Sequence, residues 1–272
     1  MYETQYVPEM ESGAFSLTEL KYGIAKIKKS RLKTDKIHVH KYLEVFFNVN
    51  SKAVFFVNNA LYPTHPGEAV VSRPNDLHVC HFSGDRTQEY YCLWIEVRES
   101  GTGLISFFDG ADFSPHFSFE SDVAAEMESL LSMLAEIYDR PGYELERTAG
   151  VLRGLFLLKG AKGNGGVPLP PTMRDILKHI NENFSEIESI GALADEHFVS
   201  TATLDRWFRQ FVGTSPGKYL ESKKLTYAAQ MLDGGASVTD ACTLSGFSDT
   251  SHFIVLFKKK FGLTPLKYKK RR

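Results

Sequence analysis

Cysteine is scarce in this chain, which has three in 272 residues and no Cys-x-x-Cys pair. An odd number of cysteines without paired spacing argues against a disulfide framework and against a zinc knuckle. Cys80, Cys92 and Cys242 therefore predict a protein of the reducing cytoplasm.

Long apolar runs are also missing. No stretch approaches the roughly 18 apolar residues that a membrane helix needs, and no charged-then-apolar leader opens the sequence. We therefore expect a soluble, cytoplasmic protein with no membrane partner. A length of 272 residues favours two domains, each with a sizeable core.

Net charge is nearly absent from the whole chain, at −1, but its distribution is uneven. Residues 171–272 hold 15 Lys+Arg and 11 Asp+Glu, whereas residues 1–170 hold 17 and 22. Basic side chains bind phosphates without reading base sequence. We expect Lys258, Lys259 and Lys260 to do so, because they end a predicted recognition helix. For the tail Lys269–Arg272 a solvated segment is an equal alternative.

What the chain does have is an internal repeat with an offset of 49 residues. Self-similarity at a fixed period indicates one supersecondary unit that is used twice. Each copy reads as a short helix, a tight turn and a second helix, which is typical of a helix-turn-helix. The matching pairs are Ala192 and Ala241, Phe198 and Phe247, Thr201 and Thr250, Phe208 and Phe257, Gly213 and Gly262, Pro216 and Pro265, Lys218 and Lys267, and Tyr219 and Tyr268.

Capping residues place the helices of both copies. In copy one, Ser189 and Ser200 begin helices and Gly213 ends the second. In copy two the equivalent positions are Ser237, Asp249 and Gly262. A helix from Pro216 to Leu232 joins the copies, and its length of roughly 25 Å can hold two recognition helices about one DNA turn, roughly 34 Å, apart.

The segment Gly246–Phe253, followed by Phe257–Pro265 and Tyr268, resembles the signature of the AraC/XylS family of bacterial transcription regulators. The resemblance covers about residues 172–270. It implies a protein that binds double-stranded DNA and, in the family's common mode, activates transcription with RNA polymerase. Carried over position by position, it implies that these residues face DNA: Thr201, Ala202, Thr203, Asp205, Arg206, Arg209, Thr250, Ser251, His252, Val255, Lys258 and Lys259.

Arg206 is the best candidate for direct base reading, because its guanidinium can bond both O6 and N7 of guanine. Asp205 either accepts from a cytosine amine or only orients Arg206, and Arg209 suits a phosphate. Val255 matches Arg206 by the repeat offset but cannot donate a hydrogen bond. We therefore expect copy one to carry more of the sequence discrimination and copy two more of the affinity.

The first half of the chain changes to a period of two, as in Leu43–Val49 and Tyr91–Val97, which predicts short strands of a sandwich or jelly-roll barrel. Two helices follow, whose leucine-rich stripes favour dimerisation or else cover the barrel. We expect an α+β chain of two domains: a barrel within 1–120 with a helical pair within 121–160, a flexible Gly/Pro linker 161–171, and an all-α tandem helix-turn-helix domain 172–272.

The predicted strands carry His38, His40 and Glu44, which share one face, and His78 follows on another strand. This set resembles the cupin barrel that serves as the sensor of many regulators of the family. It implies either a divalent metal site or histidines that only hydrogen-bond within the barrel. Tyr42, Phe46, Trp94 and His81 are candidates to line a ligand pocket, or are plain core.

These observations predict a ligand-responsive transcription activator, not an enzyme, that acts as a homodimer and takes a small-molecule effector in the barrel. Two alternatives stay open. One is a metal-dependent cupin enzyme with accessory DNA binding, and the other is a DNA-binding dimer that senses no ligand.

Overall fold

The structure is a computed structural model, and it describes residues 22–30, 37–40, 42–58, 60–74, 76–83, 87–96, 108 and 113–270. The chain forms two compact units. The first consists of Met1–Asp35, His40–Val57 and Leu61–Val167, and the second of Pro168–Arg272 with the short segments Lys36–Val39 and Asn58–Ala60. Among the helices of the described residues, none combines the length and apolar character that crossing a membrane requires.

The first unit is rich in antiparallel strands. They are β1 (Tyr22–Ser30), β2 (Tyr42–Asn48), β3 (Ala53–Val57), β4 (Ala60–Thr64), β5 (Ala69–Ser72), β6 (His78–Phe82), β7 (Thr87–Glu96), β8 (His116–Ser118), β9 (Lys162–Asn164) and, where the two units divide, β10 (Val167–Pro168). One sheet has the order β1-β7-β2-β5-β8-β9, and a second contains β4, β3 and β6 as neighbours. This two-sheet arrangement agrees with the predicted jelly-roll class.

Two helices, α1 (Ser121–Ile137) and α2 (Glu144–Gly160), pack on the larger sheet. Alternate residues of β2, such as Leu43, Val45 and Phe47, are buried against them and join one core cluster with Met127 and Leu155. The leucine stripe of α1 therefore covers the sheet, which was one of the two predicted roles for it.

The start of the predicted linker is paired to the larger sheet. Lys162–Asn164 forms the edge strand β9, in which Gly163 pairs with Phe117 of β8. The sequence did not predict this strand, because the pairing with β8 supplies hydrogen bonds that a Gly-rich segment cannot supply locally.

The second unit is helical. It contains α3 (Pro171–Asn183), α4 (Ile190–Glu196), α5 (Thr201–Trp207) extended by one π-helical turn (Phe208–Val212), α6 (Pro216–Asp233), α7 (Val238–Leu244), α8 (Thr250–Phe261) and α9 (Pro265–Lys269). The predicted helix bounds of both copies agree with these to within one or two residues. Phe208, Phe253 and Phe257 are fully buried, so they are core residues.

Candidate nucleic-acid interface and buried histidine cluster

The first helix-turn-helix is held by two serine caps. The Ser189 hydroxyl accepts from the backbone N–H of Ala192 at 3.0 Å, and that of Ser200 accepts from Thr203 at 3.1 Å. The turn between the helices contains Phe198, which has a φ of 54° and a side chain that is 96% exposed. The caps satisfy N–H groups that each helix would otherwise leave unpaired, so they fix where α5 begins.

The second helix-turn-helix repeats this arrangement with different cap chemistry. Ser237 accepts from the N–H of Asp240 at 3.0 Å, and one Asp249 carboxylate oxygen accepts from Ser251 at 2.7 Å and His252 at 3.1 Å. Gly246 forms the turn with a φ of 78°. The negative charge of a carboxylate at a helix N-terminus also interacts favourably with the positive end of the helix dipole.

The recognition helices α5 and α8 expose one face each. On α5, Leu204 is buried and Thr203 and Asp205 are half-buried; the exposed residues are Thr201, Ala202, Arg206 and Arg209. On α8, Phe253 and Phe257 are buried; the exposed residues are Thr250, Ser251, His252, Val255, Lys258 and Lys259. The structure thus brings the predicted DNA-facing residues onto the solvent side of two helices.

Asp205 pairs with an arginine that neither of the two predicted roles involves. Its carboxylate accepts from Nε of Arg209 at 2.5 Å, one helical turn further on, and this raises the pKa of Arg209. The spacing of four residues places Asp205 beside Arg209 on the helix surface, so the bond of Asp205 is to Arg209 and not to Arg206.

Lys260 does not fit the phosphate role predicted for it. Its Nζ donates to the backbone oxygen of Ser222 at 3.3 Å and to that residue's hydroxyl. Burial lowers the pKa of Lys260 to about 8. Lys269 is also engaged within the protein, since its Nζ donates to the carbonyls of Gly235 and Ala236 at 2.9 Å. Arg271 and Arg272 lie outside the described residues.

Sequence patterns missed the contact that joins the two copies. Nζ of Lys224, on α6, donates to the carbonyl of Ile187 at 3.2 Å and to that of Gly246 at 3.0 Å. One carbonyl precedes the first helix-turn-helix and the other lies in the turn of the second. A lysine in the middle of a helix carries no signal of such a role, because its partners are distant in sequence.

In the first unit, the Glu44 carboxylate lies within hydrogen-bond distance of two histidines. Nε2 of His40 lies 2.6 Å and Nε2 of His78 lies 3.1 Å from the same carboxylate oxygen. Burial opposes ionisation of Glu44, but these two bonds outweigh it and hold its pKa well below the usual range. Burial also disfavours the charged form of His78, yet Glu44 and the Asp76 carbonyl raise the pKa of His78.

The predicted set of four is close together. Ligand atoms of His38, His40, Glu44 and His78 lie within 4.8 Å of one another. Nδ1 of His40 and of His78 face the carbonyls of Tyr42, at 3.1 Å, and Asp76, at 2.9 Å. Carbonyls only accept, so each Nδ1 carries the proton. When the ring is neutral, the lone pair of Nε2 points toward the Glu44 carboxylate, and the two repel each other. A second proton on the ring, or a cation bound between the two groups, removes this repulsion.

Tyr42, Glu44 and Phe46 lie at alternate positions of β2 and therefore share one face of the sheet. Register pairs Glu44 with Trp94, which is buried on the Glu44 side, and Tyr42 is half-buried. Phe46 packs against the rings of Phe55 and Tyr90 at 4.5 and 4.9 Å, so it acts as core.

His81 cannot belong to this set. It lies three residues after His78 on β6 and therefore points to the opposite face of the strand. Of the two alternatives predicted for His81, strand parity therefore disfavours a place in this pocket.

Known proteins resemble both the C-terminal domain and most of the chain. A family profile described as a helix-turn-helix domain matches residues 193–271. The chain is 26% identical over 244 residues to the HTH-type transcriptional activator RhaS of Pectobacterium atrosepticum, which covers 84% of this chain and 85% of that protein. It is 24% identical over 246 residues to the HTH-type transcriptional regulator YbfI of Bacillus subtilis, with 79% and 80% covered. A solved AraC-type DNA-binding domain from Chromobacterium violaceum is 28% identical over 37% of this chain and 91% of its own, with a TM-score of 0.34.

The paired helix-turn-helix units and these relatives define the class of protein: the chain is a DNA-binding regulator of transcription. The profile match falls on the same region of the chain as the resemblance to the AraC/XylS family.

Proposed function

We propose that the chain is a sequence-specific transcription activator that grips double-stranded DNA with α5 and α8 and responds to a small molecule in its first unit. The observation that carries the DNA-binding part is the pair of capped helices with exposed faces in one compact unit. The matched RhaS proteins are named activators, and this supports the same direction of regulation here. Contact with RNA polymerase follows as part of that proposal.

Base reading is assigned chiefly to copy one. Arg206 is exposed on α5, and its equivalent on α8 is Val255, which is 64% exposed. The Arg206 guanidinium can bond two guanine acceptors in the major groove, whereas Val255 offers only an apolar contact to a thymine methyl. Because the Asp205 carboxylate accepts a hydrogen bond from Arg209, we assign base reading on this helical turn to Arg206.

Selection of binding sites from a random DNA library tests this assignment. Arg206→Ala is expected to relax the preference at one base pair and to cost about 1–3 kcal/mol on the selected site. Val255→Ala is the matched control on the other recognition helix and should keep the motif. An unchanged motif for Arg206→Ala would show that the base reader lies elsewhere.

Phosphate contact is assigned to Lys258 and Lys259, which are exposed at the end of α8. Lys258→Ala should weaken binding to all DNA sequences alike and reduce the slope of log K against log salt by about one. Lys159→Ala, an exposed lysine of α2, is the control and should leave the slope unchanged. A wild-type salt slope for Lys258→Ala would remove that residue from the interface.

The effector site is assigned to the end of the first unit that contains Glu44, His40 and His78, with Trp94 and Tyr42 nearby. A buried carboxylate that binds two histidines is a costly group to leave inside a β-sheet core, so it favours a ligand-binding role. A compound that binds only the folded chain raises its melting temperature by mass action. Screening small molecules against the full chain, and against Trp94→Ala, tests the site.

Metal binding is the second candidate for this cluster, and the fixed Nδ1 protons favour it. Both rings aim Nε2 lone pairs at the point that Glu44 also faces, and histidine and carboxylate donors suit a first-row divalent ion. Metal analysis of purified protein should find one ion per chain more in the wild type than in His78→Gln. His81→Gln, on the opposite face of the same strand, is the control. Since the matched relatives are regulators, we assign the chain to them and not to the metal-dependent enzymes.

Dimerisation is assigned to α2. Its exposed or half-buried apolar residues recur on one face of the helix, and they are Leu145, Ala149, Leu152 and Phe156. Two copies joined there would present two DNA-binding units and raise occupancy through effective concentration.

A further inference from the structure

A second histidine cluster lies in the DNA-binding unit, and no role described above uses it. Nδ1 of His179, on α3, is 3.0 Å from Nε2 of His197 and 3.4 Å from a carboxylate oxygen of Glu196. Glu196 is the last residue of α4, and His197 is its C-cap. Both residues are therefore placed by the same helix end.

We propose that His179, Glu196 and His197 form a binding site for a transition-metal ion such as Zn²⁺, which ties α3 to the first helix-turn-helix. The proposal does not depend on the effector or metal assigned to the first unit.

One atom receives two partners in this cluster. An imidazole nitrogen has a single in-plane direction, which holds either one proton or one lone pair. A proton on Nδ1 of His179 can form a well-aligned hydrogen bond to His197 or to Glu196, but not to both. A cation in that direction is bound by all three groups at once.

The separations are those of ligands around one ion. With bonds of about 2.0–2.2 Å to nitrogen and oxygen, neighbouring ligands lie about 3.0 Å apart in a six-coordinate site and about 3.4 Å apart in a tetrahedral one. Nδ1 of His179 lies 3.0 Å from Nε2 of His197 and 3.4 Å from Glu196, and the three ligand atoms lie within 4.8 Å of one another, which is compatible with one shared ion. Two imidazoles and one carboxylate favour Zn²⁺, Co²⁺ or Ni²⁺ over Mg²⁺ and Ca²⁺, and water can fill the remaining positions.

The surroundings concentrate cations. His179 and Glu196 line an open cavity of about 760 Å³. Five carboxylates face it against one lysine, and a concave surface of one charge sign raises the local concentration of its counter-ion. These residues are Asp175, Glu182, Glu186, Glu188, Glu196 and Lys178.

The position of the site indicates what it does. His197 directly precedes Phe198, the residue of positive φ in the turn that leads to α5. An ion bound to His197 and His179 would hold this turn against α3 and so reduce the mobility of the first recognition helix. Metal binding should therefore strengthen operator binding as well as stability.

Cobalt titration of the full chain tests the site, because tetrahedral Co²⁺ gives visible absorption that Zn²⁺ removes by competition. The background protein is His40→Gln/His78→Gln, which disables the cluster of the first unit. It should bind one Co²⁺ per chain. His197→Gln and Glu196→Gln, made separately in this background, should each weaken binding at least about tenfold, while His252→Gln, an exposed histidine of α8, should not.

A second measurement does not depend on colour. Zn²⁺ should raise the melting temperature of the background protein and of its His252→Gln variant, but not that of its His197→Gln variant, and equal Mg²⁺ should have no effect. Titratable binding that survives both His197→Gln and Glu196→Gln, or no saturable binding by the background protein, overturns the proposal. Operator binding measured with a chelator present tests DNA recognition in the absence of metal. A failure of the metal-site proposal can therefore be distinguished from a failure of the proposed DNA binding.

Discussion

Single residues decide how closely the two copies approach. Gly246 has a φ of 78°, and a Cβ built on it would lie 2.3 Å from the carbonyl oxygen of Ser185, between α3 and α4. Two restrictions thus meet at one glycine: a left-handed backbone and a neighbouring main chain that leaves no room. Gly262 has the first restriction alone, with a φ of 76° and nothing within 4 Å of its Cβ position.

Alanine substitution separates these two effects. Gly262→Ala should destabilise the DNA-binding unit by about 1–2 kcal/mol, the usual penalty of a left-handed conformation. Gly246→Ala should cost substantially more, because the backbone near Ser185 must also move. Urea denaturation of both variants measures the difference, and equal losses would show that the close approach has no energetic weight.

Lys260 shows how burial changes a residue that composition assigns to DNA. Its pKa is lowered to about 8 from 10.5, so between these values the unfolded chain binds more protons than the folded one. Stability should consequently rise with pH across this window, because the protonated lysine is unfavourable in the folded state.

Replacing this lysine should flatten the pH dependence. Lys260→Met is expected to remove a gain of about 1–2 kcal/mol in the free energy of unfolding between pH 8 and pH 10; the residue is only half-buried, which keeps the gain below the full value of the shift. Lys259→Met, at an exposed neighbour, should keep the wild-type slope. Chemical denaturation at several pH values provides the measurement, and a wild-type slope in Lys260→Met would contradict the assignment.

At the scale of elements, the caps were the most reliable sequence signal. Ser189, Ser200, Ser237 and Asp249 all begin helices where the sequence places them, because each side chain satisfies an N–H that local spacing puts within reach. The edge strand Lys162–Asn164 gave no such signal, since its partner is β8.

The cap of α5 can be tested against a position that lacks a cap bond. Ser200→Ala should destabilise the DNA-binding unit by about 1 kcal/mol. Thr264, before α9, makes no side-chain cap bond, so Thr264→Ala should cost only a few tenths. Thermal unfolding compares the two, and a similar cost for both would mean that the Ser200 bond contributes little.

At the scale of the whole molecule, the leucine stripes of α1 and α2 differ in their exposure to solvent. The stripe of α1 is buried on the sheet, whereas Leu145 and Phe156 on α2 are 78% and 53% exposed. An apolar row in water favours association with a second copy.

Placing negative charge on this apolar surface should prevent dimerisation. Leu145→Asp/Phe156→Asp is expected to shift the chain to a monomer and to weaken binding to a site with two half-sites more than binding to one half-site. Leu244→Asp, at a leucine of α7 that is 55% exposed, is the control. Analytical ultracentrifugation gives the answer; a dimer that persists in the double variant places the interface elsewhere.

The sequence by itself determined the helix-turn-helix repeat, its caps and the exposed faces of α5 and α8, because these depend on interactions within a few residues. Strand parity also predicted one face for His38, His40 and Glu44, although His40 lies before the start of β2 in the structure. Only the tertiary structure decided that Lys260 turns inward to Ser222, that Lys224 joins the two copies and that His179 meets His197. It also decided that the leucine stripe of α1 is buried while Leu145 and Phe156 of α2 are exposed. These outcomes depend on which distant segments of the chain pack together, and local sequence patterns do not contain that information.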